Sequence, residues 1–272
     1  MRNSVTRDNT AKTAVVTGAS GGIGLAAAEL LLSKGWVVYN LSRRSGGNAI
    51  HIPTDVSDEA AVKAAFEKIE NESGSISLLI NCAGFGISGA AELTELSQAK
   101  KQFDVNFFGT LLCSKEAARI MRQNGGGRIV NMSSAAAIFA IPFQSFYSAS
   151  KSAINSLSLA MDNELKEFGI RVVAVMPGDV KTGFTAAREK NAASEEGAYG
   201  ATVSKSVAVM EKDEQKGMTA EYVAACVVKA ALRKNPKPLY TIGFQYKIFA
   251  LLFKLLPIRL VNAIVGMLYV KH

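Results

Sequence analysis

Residues 17–24 read TGASGGIG, and this stretch decides the fold because of what flanks it. The apolar run TAVVT at 13–17 leads into it, and the helical pattern GLAAAELLLSKG at 24–35 follows. Gly18, Gly22 and Gly24 permit a tight turn, close approach of a ligand to the backbone, and packing of the helix on the strand. A second apolar run, WVVYNL at 36–41, completes a predicted strand–helix–strand unit.

The same alternation of short apolar runs and helical patterns continues along the chain. Five more strands are predicted at AIHIP, SLLINCAG, GRIVNMSS, IRVVAVMPG and PLYTI. Runs that are apolar on both faces are typical of a parallel sheet covered by helices on both sides. We therefore predict an α/β fold, a single doubly wound domain with a seven-stranded parallel sheet over residues 1–243.

Composition limits the classes of partner. The 272 residues are 49% hydrophobic and carry a net charge of +8 from scattered basic residues, which supports a general attraction to phosphates, anionic lipid or acidic partners. The sequence has no zinc-ligand spacing, long basic arm or aromatic-rich RNA motif, so neither a metal site nor nucleic-acid binding is predicted. Cys82, Cys113 and Cys226 lie in apolar or helical surroundings, which favours reduced thiols in a cytoplasmic protein.

The glycine turn also matches Gly-x-Ser-x-Gly through Gly18, Ser20 and Gly22, the turn that carries the serine nucleophile of α/β hydrolases. That chemistry needs a histidine after the serine and the acid. The only histidines are His51, too early in the chain, and the terminal His272. The turn is instead predicted to hold a dinucleotide phosphate at the positive end of the following helix.

The end of the second strand indicates which dinucleotide. Binders of NAD usually place an acidic residue there for the ribose 2′-hydroxyl, whereas arginine accommodates the 2′-phosphate of NADP. This strand ends with Ser42 where the acid is expected, followed by Arg43 and Arg44. NADP(H) is therefore the predicted cofactor, the alternative being two solvated surface arginines.

The motif YSASK places Tyr147 and Lys151 four residues apart, on one face of a predicted helix. A tyrosine works as a general acid or base near neutral pH only if something favours its phenolate, because its ordinary pKa is about 10. We expect the lysine ammonium and a positive nicotinamide to lower that pKa. The pair could then protonate a carbonyl oxygen as hydride reaches the carbon.

The complete set of motifs resembles the short-chain dehydrogenase/reductase superfamily, especially its steroid and retinol dehydrogenase-like members. Besides TGASGGIG and YSASK, the matching motifs are NCAG at 81–84, DVNFFG around Asn106, NMSS at 131–134 and PGDVKT at 177–182. The resemblance covers about residues 12–183 and implies a Rossmann fold and a dehydrogenase or reductase that acts on a CH–OH group.

The resemblance also implies roles for residues. Tyr147 would be the acid/base, Ser134 would bind the substrate oxygen, Lys151 would bind the nicotinamide ribose and tune Tyr147, and Asn106 would hold a water. Ser134 is preferred to the adjacent Ser133 on the family's spacing. The implied NADP(H) contacts are Gly18, Ser20, Gly22, Ile23, Gly24, Ser42, Arg43, Arg44, Asp55, Val56, Asn81, Ala83, Gly84, Tyr147, Lys151, Pro177, Gly178 and Thr182.

Two segments depart from the regular pattern. Residues 184–217 are polar and too long for an ordinary connection, so we expect a substrate loop with some helix of its own. The apolar tail 244–272 is interrupted by Lys254, Pro257 and Arg259, which favours two short helices over one membrane span. This helical extension is expected to cover the substrate cleft, a partner subunit or, as a peripheral contact through 244–270, a membrane surface.

The apolar tail and the apolar stretch AAAIFAIPFQSF at 135–146 predict a small hydrophobic ketone or aldehyde, or the matching alcohol, as substrate. Steroids, retinoids and long-chain carbonyl compounds fit this description. Two alternatives are a 3-oxoacyl carrier-protein reductase and a non-catalytic NADP(H)-binding regulator. The resemblance further implies a homo-dimer or homo-tetramer, built through the helices that carry Asn106 and Tyr147.

Overall fold

The computed structural model describes residues 12–195 and 197–270. Its main sheet has seven parallel strands, in the order β7-β6-β5-β4-β1-β2-β3. They are Thr13–Thr17 (β1), Val37–Ser42 (β2), Ile50–Pro53 (β3), Leu78–Asn81 (β4), Gly127–Met132 (β5), Ile170–Pro177 (β6) and Leu239–Ile242 (β7). The predicted α/β fold with a seven-stranded parallel sheet is confirmed.

Ten α-helices connect or follow these strands in the part of the chain that is described. They are Gly22–Leu32 (α1), Glu59–Ser73 (α2), Leu96–Phe103 (α3), Gly109–Gln123 (α4), Ser145–Leu165 (α5), Ala192–Glu195 (α6), Gly200–Gln215 (α7), Ala220–Ala231 (α8), Phe244–Leu255 (α9) and Ile258–Tyr269 (α10). A π-helical turn, Asp104–Phe108, joins α3 to α4.

The core consists of two apolar layers, one on each face of the sheet. On one face α2, α4 and α5 pack through side chains such as Phe66, Ile120 and Met161. On the other face α1 and α8 pack through Leu31 and Val227, among others. Because both faces are covered, the strands are apolar on both sides, as their sequence indicates.

The carboxyl ends of the strands open into a crevice. The strand order reverses between β1 and β4, since the chain leaves β1 toward β2 on one side and returns to β4 on the other. In open parallel sheets a ligand binds in the crevice at this switch point. The loops after β1, β2, β4, β5 and β6 all meet there.

The segment 184–217 is structured. It contains the strand Glu189–Lys190, paired with Ile87–Ser88, then α6, a turn at Gly197–Tyr199 and the sixteen-residue α7. A second short pair joins Val180–Lys181 to Met218–Thr219. These two pairs fix both ends of the segment beside the crevice.

The C-terminal extension consists of two helices separated at Pro257, as the sequence indicates. Pro257 is the N-cap of α10, a position where a residue without an N–H removes no helical hydrogen bond. No helix in residues 12–195 or 197–270 is both long enough and apolar enough to cross a membrane. Instead, α9 and α10 form one wall of the crevice.

Candidate active site

The glycine turn lies at the start of α1, under the crevice. Gly18 has φ +66° and donates its N–H to Leu41 O at 2.9 Å. A Cβ on Gly18 would lie 2.9 Å from the backbone of Ala83, and one on Gly24 would lie 2.6 Å from Gly18 O. Glycine is therefore required at both positions for the helix to approach the strand ends so closely.

The same turn leaves space for an anion. The first α1 bond of the regular i to i−4 type runs from Leu25 N to Gly21 O, so the N–H groups just before Leu25 have no partner within the helix. A Cβ on Gly21 would meet no atom within 4 Å, and Ser20, Gly22 and Ile23 line the crevice. This geometry fits the pyrophosphate of a dinucleotide at the positive helix end.

Thr17 joins the turn to the NCAG motif. Its hydroxyl oxygen accepts the backbone N–H of Cys82 at 3.0 Å and of Ala83 at 3.1 Å. Ala83 and Gly84 are thereby placed on the crevice wall beside Gly18. Sequence reasoning did not predict this role of Thr17, which is the last residue of the first strand.

Asn81, in the same motif, lies beneath the crevice rather than on its wall. Its side-chain amide donates to Asn131 Oδ1 at 2.9 Å and to Ser114 Oγ at 3.0 Å, and Asn131 donates to Ser158 Oγ at 2.9 Å. This buried chain of polar groups ties β4 and β5 to α4 and α5. The Asn81 side chain thus has a supporting position, and Asn81 is not among the residues that line the crevice, where a cofactor contact was expected.

The loop after β2 carries the two arginines. Ser42 donates its hydroxyl to Arg44 O at 2.7 Å, which turns the chain so that Arg43 and Arg44 are exposed at the crevice. Asp55 and Val56 line the crevice opposite them. A hydrogen bond from Ser57 and the charge of Arg43 hold the pKa of Asp55 below its ordinary value, although burial opposes them.

Tyr147 and Ser134 face each other across the crevice floor. Burial raises the pKa of Tyr147 to about 12, and a hydrogen bond with Ser134 partly offsets that shift. Ser134 also caps a helical turn by accepting the Ala136 N–H at 3.1 Å. The adjacent Ser133 donates instead to Lys151 O at 3.0 Å, so Ser134 is the serine that reaches Tyr147.

Lys151 is buried below Tyr147. Its ammonium donates to Met132 O at 2.8 Å and lies 5.7 Å from the centroid of the Tyr147 ring. Burial lowers the pKa of Lys151 to about 8. Burial thus acts on both groups and favours their neutral forms, whereas the expected lowering of the Tyr147 pKa rests on Lys151 together with the charge of a nicotinamide.

Asn106 lies in the π-helical turn, where one extra residue per turn changes the direction of its side chain. Its amide is bound on both sides by the backbone of Phe85, accepting the N–H and donating to the carbonyl, each at 3.0 Å. It also donates to Ser150 Oγ at 3.3 Å. A Cβ on Gly84 would lie 3.1 Å from Asn106 Oδ1 and 3.6 Å from Lys151 Nζ, so the amide and the ammonium flank Gly84.

The loop after β6 forms the other side of the crevice. Thr182 accepts the N–H of Phe184 at 3.1 Å and lies against Gly22, which brings this loop over the glycine turn. Pro177 and Gly178 line the crevice next to it. The ring of Tyr246, from α9, covers Gly178 so closely that any side chain there would collide with it.

Beyond the reacting pair the crevice widens into a cleft, and crevice and cleft together enclose about 1640 Å³. The cleft has an apolar lining that comes from Phe139, from Phe184 beside the Tyr147 ring, and from the helices α9 and α10. Tyr246 donates its hydroxyl to Asp179, whose pKa is raised by burial. The C-terminal extension therefore packs on the cleft, one of the positions predicted for it.

A buried ion pair closes the far side of the cleft. Arg188, whose side chain is 0% exposed, binds Glu214 near the end of α7, and Glu214 also accepts the Thr185 hydroxyl at 2.5 Å. With its amide oxygen facing Arg188, Gln144 at the start of α5 accepts hydrogen bonds from Arg188 Nε and Nη2, each at 3.2 Å. Sequence reasoning missed this group, because nothing near Arg188 in the chain marks it as buried.

This arrangement can donate a proton to a carbonyl oxygen while hydride is transferred to the carbonyl carbon. The tyrosine and serine hydroxyls can both bind one carbonyl oxygen, and the cofactor, held along the strand ends, would present hydride to the carbonyl carbon. All the predicted cofactor contacts except Asn81 line this crevice, as do Ser134, Tyr147 and Lys151, while Asn106 supports it from below.

Comparison with known proteins agrees with this geometry. The chain is 37% identical over 228 residues to a 3-ketodihydrosphingosine reductase of Bacteroides thetaiotaomicron, covering 82% of this chain and 84% of that protein. It is 28% identical over 268 residues to an NADPH-dependent 3-dehydrocapnine reductase of Ornithobacterium rhinotracheale, covering 92% and 95%. A short-chain dehydrogenase from Streptomyces avermitilis superposes with a TM-score of 0.82 at 25% identity, covering 96% of each chain.

The family described as short chain dehydrogenase matches residues 12–193, which include the glycine turn, the serine strand and the tyrosine–lysine pair. The chain therefore belongs to the short chain dehydrogenase family and is an oxidoreductase that uses a nicotinamide cofactor.

Proposed function

We propose that the protein uses NADPH to reduce a ketone carried by a long, hydrophobic molecule. The observation that carries this proposal is the position of the hydroxyls of Tyr147 and Ser134. They line a large cleft that is also lined by the apolar helices α9 and α10. A carbonyl could reach the hydroxyls while the rest of a long apolar molecule lies against those helices.

The protonation states suit reduction. A tyrosine whose pKa is raised to about 12 by burial keeps its proton at neutral pH, so Tyr147 can donate it to the carbonyl oxygen. Ser134 lies close enough to Tyr147 to lower its pKa and would bind the same oxygen. Lys151 lies beneath the phenol and, when charged, stabilises the phenolate that remains.

The loop after β2 supports the choice of NADPH. It exposes Arg43 and Arg44 at the crevice and has Ser42 where an NAD-binding protein usually has an acid. One similar protein is named NADPH-dependent. Arg43 also lies close enough to Asp55 to lower the pKa of that carboxyl, which supports a position for its charge beside the proposed adenosine site.

The substrate class is supported by the cleft and by the names of similar proteins. Two of them are named as reductases of 3-ketodihydrosphingosine and of 3-dehydrocapnine. We propose a long-chain ketone of this lipid type, with steroids and retinoids as the competing hydrophobic substrates. Glu214 and the hydrogen-bonded pair of Asp179 and Tyr246, which line the cleft, would then lie near the polar end of the lipid.

The test is NADPH and NADH oxidation by the purified protein against a panel of carbonyl compounds. The panel contains a long-chain 3-ketolipid, an oxosteroid, retinal and an acetoacetyl thioester. We expect NADPH to be preferred and the 3-ketolipid to have the highest kcat/KM. A preference for the thioester would favour a 3-oxoacyl carrier-protein reductase, and NADPH binding without turnover of any compound would favour the regulator.

We also propose a cytoplasmic homo-oligomer that contacts membranes peripherally. The three cysteines are free thiols, which suits a reducing compartment. Phe108 and Leu159, on or next to the helices expected to form the subunit interface, are exposed apolar side chains. A monomer in sedimentation equilibrium at micromolar concentration would refute the oligomer.

A further inference from the structure

The outer surfaces of α9 and α10 are far more apolar than the rest of the protein's exterior. On α9, Ile248, Leu251 and Leu255 are exposed at spacings of three and four residues, so they form one stripe. On α10, Leu260, Ile264 and Met267 repeat the same spacing and exposure. We call these six residues the outer apolar stripes. Contiguous exposed apolar surface of this kind marks an interaction site.

Charge indicates what covers the stripes. Residues 244–270 contain Lys247, Lys254 and Arg259, all exposed, and neither Asp nor Glu. Lys247 and Lys254 are seven residues apart and hence lie together beside the α9 stripe. Apolar stripes on helices whose own charged side chains are all cations are the pattern of helices that lie in the interface of an anionic bilayer.

The cleft opens at the same surface. Phe244, Phe249 and Leu252 of α9, with Ile264 and Leu268 of α10, line the cleft and are also exposed. These residues are therefore at the mouth of the cleft. Ile264 belongs to both the mouth and an outer apolar stripe, and Leu251 is adjacent to Leu252. A surface that covers the stripes would thus also meet the mouth.

We propose that α9 and α10 dock the protein on an anionic lipid bilayer, with the mouth of the cleft facing the membrane. The hydrophobic substrate, in the reductase function proposed above, then enters between the two helices without crossing water. The outer apolar stripes enter the boundary between headgroups and acyl chains, and the cations remain at the phosphates. The helices lie on the membrane because neither is long enough to span it.

The test is co-sedimentation of the full chain with vesicles of phosphatidylcholine alone or mixed with phosphatidylglycerol. The double variant Leu251→Asp/Leu255→Asp changes two stripe residues that do not line the cleft, and we expect it to bind the mixed vesicles about a hundredfold or more weakly. The matched control is Leu232→Asp. Leu232 is 47% exposed, compared with 58% for Leu251, but follows α8 near the amino end of β5, and its replacement should leave vesicle binding unchanged.

The charges give a second readout. Lys247→Gln and Lys254→Gln should each weaken binding to the mixed vesicles by about fivefold, from about 1 kcal/mol for each basic residue near an anionic surface. Added salt should weaken binding of the wild type in the same way. Binding that is equal with and without phosphatidylglycerol, and insensitive to salt, would overturn the role of these cations.

Three results would overturn the docking proposal as a whole. The wild type could fail to sediment with the mixed vesicles, or Leu251→Asp/Leu255→Asp could bind them normally. Alternatively, the wild type could be an oligomer that binds no vesicles while the double variant is a monomer. In that case the stripes join two copies of the chain. Turnover of a detergent-solubilised long-chain ketone tests the reductase function independently of membrane docking. Turnover without vesicle binding refutes docking alone, and vesicle binding without turnover refutes the reductase alone.

Discussion

Replacement of Glu214 by Gln is expected to release α7 from the cleft. The change leaves the guanidinium of Arg188, fully buried as a side chain, without its counter-charge. Removing one partner of a buried pair typically costs about 3–5 kcal/mol, because the remaining charge is uncompensated. If α7 opens locally, hydrogen exchange of its backbone amides should accelerate by about two to four orders of magnitude, at 1.36 kcal/mol for each factor of ten.

A matched control lies on the same two segments. Lys190 and Glu211 also join the strand before α6 to α7, but their side chains are 47% and 29% exposed. Glu211→Gln should therefore cost only about 0–1 kcal/mol. The double variant Arg188→Met/Glu214→Gln should recover part of the protection, since no buried charge is left unpaired. Equal exchange rates in Glu214→Gln and Glu211→Gln would refute the reasoning.

Three further predictions concern the chemistry and the cofactor. Tyr147→Phe should lower kcat by about two to four orders of magnitude through loss of the proton donor, with NADPH binding by fluorescence retained; near-normal turnover would remove Tyr147 from its role. Burial lowers the pKa of Lys151 from 10.5 to about 8, so between these values the unfolded chain binds more protons than the native one. The free energy of unfolding of the wild type should therefore rise with pH between about 8 and 10.5, relative to that of Lys151→Met. The measurement is the difference in free energy of unfolding between the two proteins as a function of pH. A difference that stays constant would contradict the burial of the ammonium. Arg43→Ala should weaken NADPH binding about tenfold to a hundredfold and NADH binding little, from the loss of charge-assisted hydrogen bonds, and equal losses would leave Arg43 a surface residue.

The fold was predictable because its signals are local. Each strand is a short apolar run bounded by polar or glycine residues, and the glycine turn fixes the first strand–helix–strand unit. The residues proposed to react could be selected for the same reason, since Tyr147 and Lys151 share one helix and Ser134 closely follows one strand. The choice of Ser134 over Ser133 came from family spacing, and the structure supplies its physical basis in the bond from Ser133 to Lys151 O.

The remaining features depend on contacts between distant parts of the chain. Asn81 was expected on the crevice wall, but its bond to Asn131, fifty residues away, holds it below. Arg188 and Glu214 are ordinary surface residue types until the fold of α7 brings Glu214 to Arg188. The protonation of Tyr147 also escaped prediction, because the sequence shows that Lys151 is near but not how deeply both groups are buried.

The contact between Tyr246 and Gly178 has a consequence for how such proteins diversify. The chemistry comes from strand ends and helices before residue 183, whereas one wall of the cleft comes from helices after residue 243. The two parts meet where the Tyr246 ring covers Gly178 and its hydroxyl binds Asp179. Selection could therefore reshape the last two helices while catalysis stays constant. A chimera that exchanges these helices between relatives should keep its hydride chemistry if it keeps this tyrosine and glycine together.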